Sequence, residues 1–218
     1  MRSAHIPHLE FDPSLDFKAV ESLIKGNGAI IPINTVNWPE SFPYAPEAKA
    51  YLAHDDNSLT ILYEVRGLDL RALELEDNAH PWENSCCEFF VGIPGSNEYM
   101  NFELVCNGAL LVARGEGRDG RVILPSDVVS GIIRKGTLDR KIYDEPDREF
   151  EWGIFLQIPF DLIPGMDEGF PESLKANFYK CANKSAHPHF LSWNPIKTPA
   201  PDFHRPEYFG TLYFDWKD

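Results

Sequence analysis

The chain has 218 residues, with 20 Lys and Arg against 34 Asp and Glu, which gives a formal net charge of −14 at pH 7. Hydrophobic residues make up 43% of it and aromatic residues 13%, so it can bury a core without disulfides or a structural metal. Nucleic acids and anionic membrane surfaces are bound through clustered basic residues, and the charge therefore argues against both partners. The length fits one domain over residues 1–218.

The N-terminal residues lack the apolar stretch of a signal peptide, and no later window reaches the ~18 apolar residues of a membrane span. The chain is therefore expected either to be intracellular or to have lost a leader. Four cysteines are present, of which Cys86 and Cys87 are adjacent, and no C-x-x-C motif occurs. This usage predicts reduced, buried thiols, which slightly favours the cytoplasm.

The elements expected from the sequence begin with one short helix at 13–25, with Asp12 as its N-cap and Gly26 at its end. Apolar and polar residues then alternate, as in half-buried strands, in the segments 58–65, 99–106, 149–158 and 210–216, and the segment 86–91 is a compact apolar run typical of a strand. Asn107 and Gly108 are expected to form a hairpin turn. The pattern predicts an all-β fold, an antiparallel β-sandwich of the immunoglobulin or jelly-roll kind, with one or two short helices.

The segment 115–120 matches the G-x-G-x-x-G pattern of dinucleotide-binding sites. That function requires a helix directly after the glycines, whose N-terminus binds the pyrophosphate. A short strand-like run ended by Pro125 follows instead, so the segment is interpreted as a glycine-rich hairpin. The hydrolase motifs G-x-S-x-G and H-E-x-x-H do not occur.

The segment 185–209 shows little strand alternation and is rich in proline, histidine and aromatic residues. Long loops of this kind in a compact domain usually carry function. Its possible transition-metal ligands are His187, His189, Asp202 and His204. Histidines that make ordinary hydrogen bonds are the commoner outcome in such loops.

The five tryptophans divide by their surroundings. Trp152 and Trp216 lie on apolar faces of expected strands and are predicted core residues. Trp38, Trp82 and Trp193 lie in loop or turn-like segments. Two loop tryptophans can stack on the C–H faces of a sugar ring while nearby carboxylates and amides bind its hydroxyl groups. On residue type alone, covering the ends of the sandwich explains them equally well.

Two parts of the chain resemble motifs of family 9 carbohydrate-binding modules. The stretch 82–90, WENSCCEFF, is similar to the family's Trp-Glu-Asp-Asp-Ser-Val-Glu-hydrophobic-Phe signature. The stretches 191–195, LSWNP, and 205–212, RPEYFGTL, resemble its closing motif of Ser-Trp, a loop, and Phe-Gly-x-Leu before the last strand. Their order and spacing agree from about residue 58 to residue 216.

The resemblance implies a β-sandwich, related to DOMON-type domains, that binds a mono- or oligosaccharide without catalysis. Carried over by motif, the stacking residues are Trp82 and Trp193, and the hydroxyl-binding carboxylate is Glu88. The resemblance also implies structural calcium, for which no ligands can be assigned. A xylan- or glucan-type ligand and a part in polysaccharide degradation are implied by the same family.

Strand parity supports the role of Glu88, because it lies on the face opposite to its apolar neighbours. If the next strand pairs as a hairpin, Asn101 and Glu103 share that polar face. Asn194, beside Trp193, is a further candidate ligand. The family carries an arginine where this chain has Glu103, and a carboxylate accepts hydrogen bonds whereas a guanidinium only donates them. The preferred sugar is therefore expected to differ, or the affinity to be lost.

Other functions remain open at this point. Related DOMON-type domains hold haem with Met and His ligands. Met100 and the loop histidines could form such a ligand set, although strand alternation places Met100 on the apolar face of its strand. A small glycoside-active enzyme could use Glu88 with Glu83 or Glu103. A site that no longer binds sugar could serve protein contacts.

Overall fold

The computed structural model describes residues 1–12, 14–166 and 171–216. Within them, two β-sheets of nine and five strands pack against each other as a sandwich. The strands are β1 (Ser3–Pro7), β2 (Ala29–Pro32), β3 (Thr35–Val36), β4 (Glu47–His54), β5 (Ser58–Ala72), β6 (Cys86–Gly92), β7 (Tyr99–Val105), β8 (Leu110–Gly115), β9 (Val122–Ile123), β10 (Ile133–Gly136), β11 (Tyr143–Pro159), β12 (Ser173–Cys181), β13 (Phe190–Ser192) and β14 (Gly210–Asp215). The helices of these residues are α1 (Phe17–Asn27), α2 (Ser126–Gly131) and the 3-10 helices Pro81–Glu83, Phe160–Leu162 and Pro206–Tyr208.

The larger sheet runs β1-β14-β12-β6-β7-β8-β9, with β13 paired to β12 and β3 paired to β13. The smaller sheet runs β10-β11-β5-β4-β2. Neighbouring strands of the described chain pair antiparallel, except that β1 runs parallel to β14. The predicted all-β sandwich with two short helices is confirmed. The parallel pairing of β1 with β14 at the edge of the larger sheet cannot be predicted from the alternation of apolar and polar residues alone.

The core lies between the two sheets. Phe89 on β6 and Met100 and Phe102 on β7 face it, and each is at most 4% exposed. Trp152 on β11 packs into the same core, as predicted. Trp216 is 37% exposed and not a core residue, because β14 ends one residue before it.

The helix α1 begins four residues later than predicted. Its N-cap is Asp16, whose side chain accepts a hydrogen bond from the first turn at 2.9 Å. Asp12, the predicted cap, instead accepts a backbone hydrogen bond in a turn before the helix. The helix continues one residue beyond Gly26, and Pro13, its predicted start, lies outside the described residues. No helix of the described chain has the length and apolar character needed to cross a membrane.

Both predicted hairpins are confirmed. Gly108 joins β7 to β8 with a φ of +92°, a left-handed conformation that favours glycine. The glycine-rich segment 115–120 joins β8 to β9, which pair antiparallel. This second hairpin also contributes side chains to the site described below.

A partly buried ion-pair centre ties the β5–β6 connection to both sheets. The carboxylate of Asp77 accepts hydrogen bonds from Arg134 on β10, from Arg140 at 2.8 Å and from the backbone N–H of Leu110 on β8 at 3.1 Å. Burial opposes ionisation of Asp77, but the arginines outweigh it and lower the pKa of this carboxyl group. The ionised form therefore stabilises the fold.

We expect Asp77→Asn to lower the free energy of unfolding at pH 7 by about 1–3 kcal/mol, because two arginines lose a charged acceptor. The extra stability of the wild type over the variant is fully present above the ordinary aspartate pKa of about 4. It is lost as the pH falls through the lower pKa that Asp77 has in the folded protein. Urea unfolding of both proteins between about pH 2 and pH 7 measures the difference. A difference that stays constant over this range would contradict the role given to Asp77.

Candidate functional site

The centre of the larger sheet is covered on both faces. Every residue of β6 and β7 is buried, although only alternate side chains face the core between the sheets. The connection 37–46 and the segment 182–209, which includes β13, cover the outer face, and their aromatic residues form a second apolar cluster with side chains of β6, β7 and β12. A cavity of about 730 Å³ lies on this outer face, a size typical of small-molecule sites.

The floor of the cavity is polar. Glu88 of β6, Asn101 and Glu103 of β7 and Cys181 of β12 line it from neighbouring strands, and each is at most 4% exposed. Glu88 and Glu103 are direct partners in the β6–β7 register. The polar face that strand parity predicts is therefore present, and it faces the cavity.

A chain of hydrogen bonds orients this floor. Arg121, from the β8–β9 connection, donates from Nε to Asn101 Oδ1 at 2.8 Å, and Asn101 Nδ2 donates to Glu103 Oε1 at 2.8 Å. Arg121 also lies over the ring of Tyr99, 4.3 Å from its centroid. The other oxygen of Glu103, Oε2, is buried and has no hydrogen-bond partner within the described residues. Because a buried acceptor without a donor is costly, this atom marks a place for a donor group of a ligand.

Burial shifts both carboxyl groups of the floor towards their neutral forms. It raises the pKa of Glu103 to about 7, although Asn101 and Arg121 oppose the shift. Burial, with the neighbouring Cys181 and Glu103, raises the pKa of Glu88 well above its usual range. A protonated carboxyl group both donates and accepts hydrogen bonds, and so does a hydroxyl group. The floor is thus suited to a ligand that carries hydroxyl groups.

Aromatic side chains form the walls. Trp82, on the 3-10 helix before β6, lines the cavity together with Phe190 of β13 and Phe203 of the following loop. Phe203 stacks on Tyr179 of β12, with ring centroids 4.2 Å apart. Trp38 packs against Phe190 and Phe203, with its centroid within 6.3 Å of both. This tryptophan supports the wall without lining the cavity.

Two connections meet at the rim. Arg118, in the β8–β9 connection, donates to the carbonyl of Pro201 and to the carboxylate of Asp202, both at 3.0 Å. His204 lines the cavity, and its Nδ1 is 2.8 Å from the hydroxyl oxygen of Tyr99. The segment 185–209 therefore supplies walls and rim, which agrees with its interpretation as a functional loop.

The structure corrects the predicted clamp of Trp82 and Trp193. Trp193 is 3% exposed, belongs to the core between the sheets and packs edge-on against Phe178, with centroids 5.8 Å apart. Side chains alternate along β13 and the residue that follows it, so Leu191 and Trp193 face the core whereas Phe190 faces the cavity. The motif locates Trp193 in the chain, but strand parity decides which face it occupies.

Asn194 also has a structural position away from the cavity. It is 1% exposed, and its Oδ1 accepts a hydrogen bond from the backbone N–H of Arg2 at 2.7 Å. A Cβ atom at Gly210 would lie 2.7 Å from Trp193 Cζ3 and would also overlap the amide of Asn194. The glycine of the closing motif is thus required by close packing against Trp193 and Asn194.

The possible metal ligands of the 185–209 segment are not brought together. These are His187, His189, Asp202 and His204. His187 bonds to Asp69, His189 to Lys180, and His204 to Tyr99, whereas Asp202 is paired with Arg118. Their separate partners are those of ordinary loop hydrogen bonds.

The haem ligand considered does not reach the cavity, and no calcium ligands are assigned among the described residues. Met100, the haem ligand considered, faces the core between the sheets and not the cavity. Calcium takes six to eight oxygen ligands. The close groups of possible ligands in the described chain each include a histidine or a cysteine, so no calcium ligands are assigned.

Residues 18–214 match the model of a family described as carbohydrate-binding family 9. The chain belongs to this family. The matched family is one of binding modules and not of catalytic domains. A crystal structure of a protein from Bacteroides uniformis ATCC 8492, provisionally described as carbohydrate-binding, is similar at a TM-score of 0.88 and 33% identity, over 98% of this chain and 99% of that one.

More distant family 9 structures share the fold. A module from Caldicellulosiruptor kristjanssonii in complex with glucose matches at a TM-score of 0.60 and 14% identity, over 100% of this chain and 97% of that one. The same organism's module in complex with cellotriose matches at 0.56 and 13%, over 100% and 95%. Among curated proteins, no significant match was found.

We expect Gly210→Ala to lower the free energy of unfolding by about 1–3 kcal/mol, because the added methyl group must displace Trp193 or the neighbouring backbone. Gly26→Ala is the matched control. An added Cβ there meets nothing within 4 Å, and alanine in a helix is expected to stabilise by up to about 1 kcal/mol. Thermal and urea unfolding of the two variants compare them, and equal stability would contradict the packing role of Gly210.

Proposed function

We propose that this chain binds a saccharide without catalysis, in the cavity over β6, β7 and β12, with residues 1–218 acting as one domain. One sugar ring stacks on Trp82, and its hydroxyl groups bond to Glu88, Asn101 and Glu103. The observation that carries the proposal is the pair of buried carboxyl groups, Glu88 and Glu103, that line a cavity with aromatic walls.

The hydrogen-bonding capacity of the floor supports a ligand with several hydroxyl groups. Glu103 Oε2 is buried without a partner among the described residues, and a sugar hydroxyl supplies the donor it lacks. Arg121 holds Asn101 Oδ1, and Asn101 in turn holds the other oxygen of Glu103, so the free oxygen has a fixed position. Fixed acceptors reduce the entropy lost on binding.

The walls support the apolar side of the same ligand. A pyranose ring has C–H groups on its faces, and these pack well against an indole ring. Trp82 lies at the wall, and Phe190 and Phe203 extend the apolar surface. Stacking with a few hydrogen bonds predicts dissociation constants from millimolar to micromolar, or about −4 to −8 kcal/mol.

The sugar class is proposed from the family and its distant structures. Family 9 modules of the same fold are found with glucose and cellotriose, which supports a glucan-type ligand, while the family resemblance also implies xylan. Xylose lacks the hydroxymethyl group of glucose. Calorimetric titration with glucose, cellotriose and xylotriose therefore asks whether the cavity accepts that group.

We expect Trp82→Ala to weaken binding of whichever sugar binds by about 5- to 150-fold, because the loss of stacking is worth on the order of 1–3 kcal/mol. Trp216→Ala is the matched control, since this tryptophan is partly exposed and does not line the cavity. The control is expected to keep wild-type affinity. Equal affinities of Trp82→Ala and wild type, with both folded by circular dichroism, would contradict the proposed wall.

We expect Glu103→Gln to weaken sugar binding by roughly tenfold or more. Glutamine keeps one acceptor oxygen but has an N–H₂ group, which only donates, in place of the second oxygen. The same change is expected to leave the free energy of unfolding unchanged or to raise it, since it removes a buried ionisable group. Calorimetry and urea unfolding measure the two effects. A variant that binds normally but unfolds more easily would assign Glu103 a structural role.

Hydrolysis of a glycoside is the second candidate function, because glycosidases use two carboxyl groups and raise the pKa of the one that donates a proton. The adjacency of Glu88 and Glu103 in the β6–β7 register favours it. Release of chromophore from aryl glycosides, lost in Glu88→Gln, would support hydrolysis. Sugar binding without turnover across such a panel would leave binding as the function.

A further inference from the structure

Three possible metal ligands converge at one end of the cavity floor. Cys86 at the start of β6 and Cys181 at the end of β12 are direct register partners, and Glu88 lies two residues after Cys86 on the same face. Their ligand atoms all lie within 4.8 Å of one another. Cys181 Sγ is 3.0 Å from Glu88 Oε1, and all three side chains are at most 3% exposed.

We propose that Cys86, Glu88 and Cys181 form a binding site for a thiophilic divalent cation of the zinc class. Thiolate ligands select zinc over calcium and magnesium. Zinc lies about 2.3 Å from sulfur and about 2.0–2.2 Å from a carboxylate oxygen. In a tetrahedral arrangement these lengths place the ligand atoms roughly 3.4–3.8 Å apart, so the observed cluster needs only small side-chain movements to bind the ion.

Charge supports this site. No lysine or arginine forms an ion pair with Glu88 in the described part of the chain, and its hydrogen-bond partner is the thiol of Cys181. A buried carboxylate without a cation is costly. A divalent cation supplies the positive charge that Glu88 lacks, and the protons of the two thiols are released on binding.

The position of the site gives it access to the cavity. Glu88 and Cys181 line the cavity, whereas Cys86 lies behind them. Zinc with three protein ligands keeps a fourth position for water or another small ligand, and because two of the three proposed ligands line the cavity, we expect that position to face it. The site shares Glu88 with the proposed sugar site, but its formation does not require a sugar.

The test is titration of the full chain with Co²⁺ and then Zn²⁺, in a non-thiol reductant and without sugar. The wild type is expected to bind one equivalent of Co²⁺, with a thiolate-to-cobalt absorption band in the near ultraviolet that Zn²⁺ abolishes. Cys181→Ser is expected to lose the band and to bind zinc at least roughly 100-fold more weakly. Cys106→Ala is the matched control, because Cys106 is buried in the core between the sheets. This variant is expected to keep both the cobalt band and the wild-type affinity for zinc.

Cys86→Ala provides a second variant if Cys181→Ser does not fold, and the same loss is expected. Trp82→Ala is expected to keep the cobalt band even where it loses sugar binding, which separates this site from the proposed function. Absence of a thiolate band in the reduced wild type would overturn the site. An undiminished band in the folded Cys86 and Cys181 variants would overturn it as well.

Discussion

Glu88 and Glu103 lie opposite each other on adjacent strands, at the centre of a sheet that is covered on both faces. Removing carboxyl groups from water costs free energy unless donors or a cation compensate. Arg121 offsets part of the cost of burying these carboxyl groups, because it orients Asn101, which donates a hydrogen bond to Glu103. The rest of the cost is offset by protonation of the carboxyl groups or by a ligand. The rest of the site follows from this constraint, because the aromatic walls and the loops at the rim create a partly closed, concave space in which a few polar groups can discriminate between ligands.

The same strands carry the stability that offsets this burial. On β6, Phe89 faces the core and Glu88 faces the cavity, so one strand contributes to the core on one face and to the cavity on the other. Trp193 and Gly210 hold the closing motif against the core, and Asp77 ties a connection to both sheets. Residues that fix the fold and residues that line the cavity therefore alternate within a few positions of each other.

How far the sequence predicts the site depends on whether the information is local. Strand alternation is local, so it predicts the sandwich and the shared face of Glu88 and Glu103. Arg121 and Phe203 come from connections whose paths depend on tertiary packing, and no local pattern places them at the cavity. The position of Trp193 in a motif does not report its face, because a shift of one residue moves a side chain to the other side of a strand. Composition singles out the 185–209 segment, and the structure places its side chains at the walls and rim of the cavity.

The most direct test of the account is a crystal structure of this protein with the sugar that binds best in calorimetry. The account predicts a sugar ring against Trp82, a hydroxyl oxygen within about 3 Å of Glu103 Oε2, and Trp193 still buried in the core between the sheets. A sugar bound at another surface, or one stacked on an exposed Trp193, would contradict it.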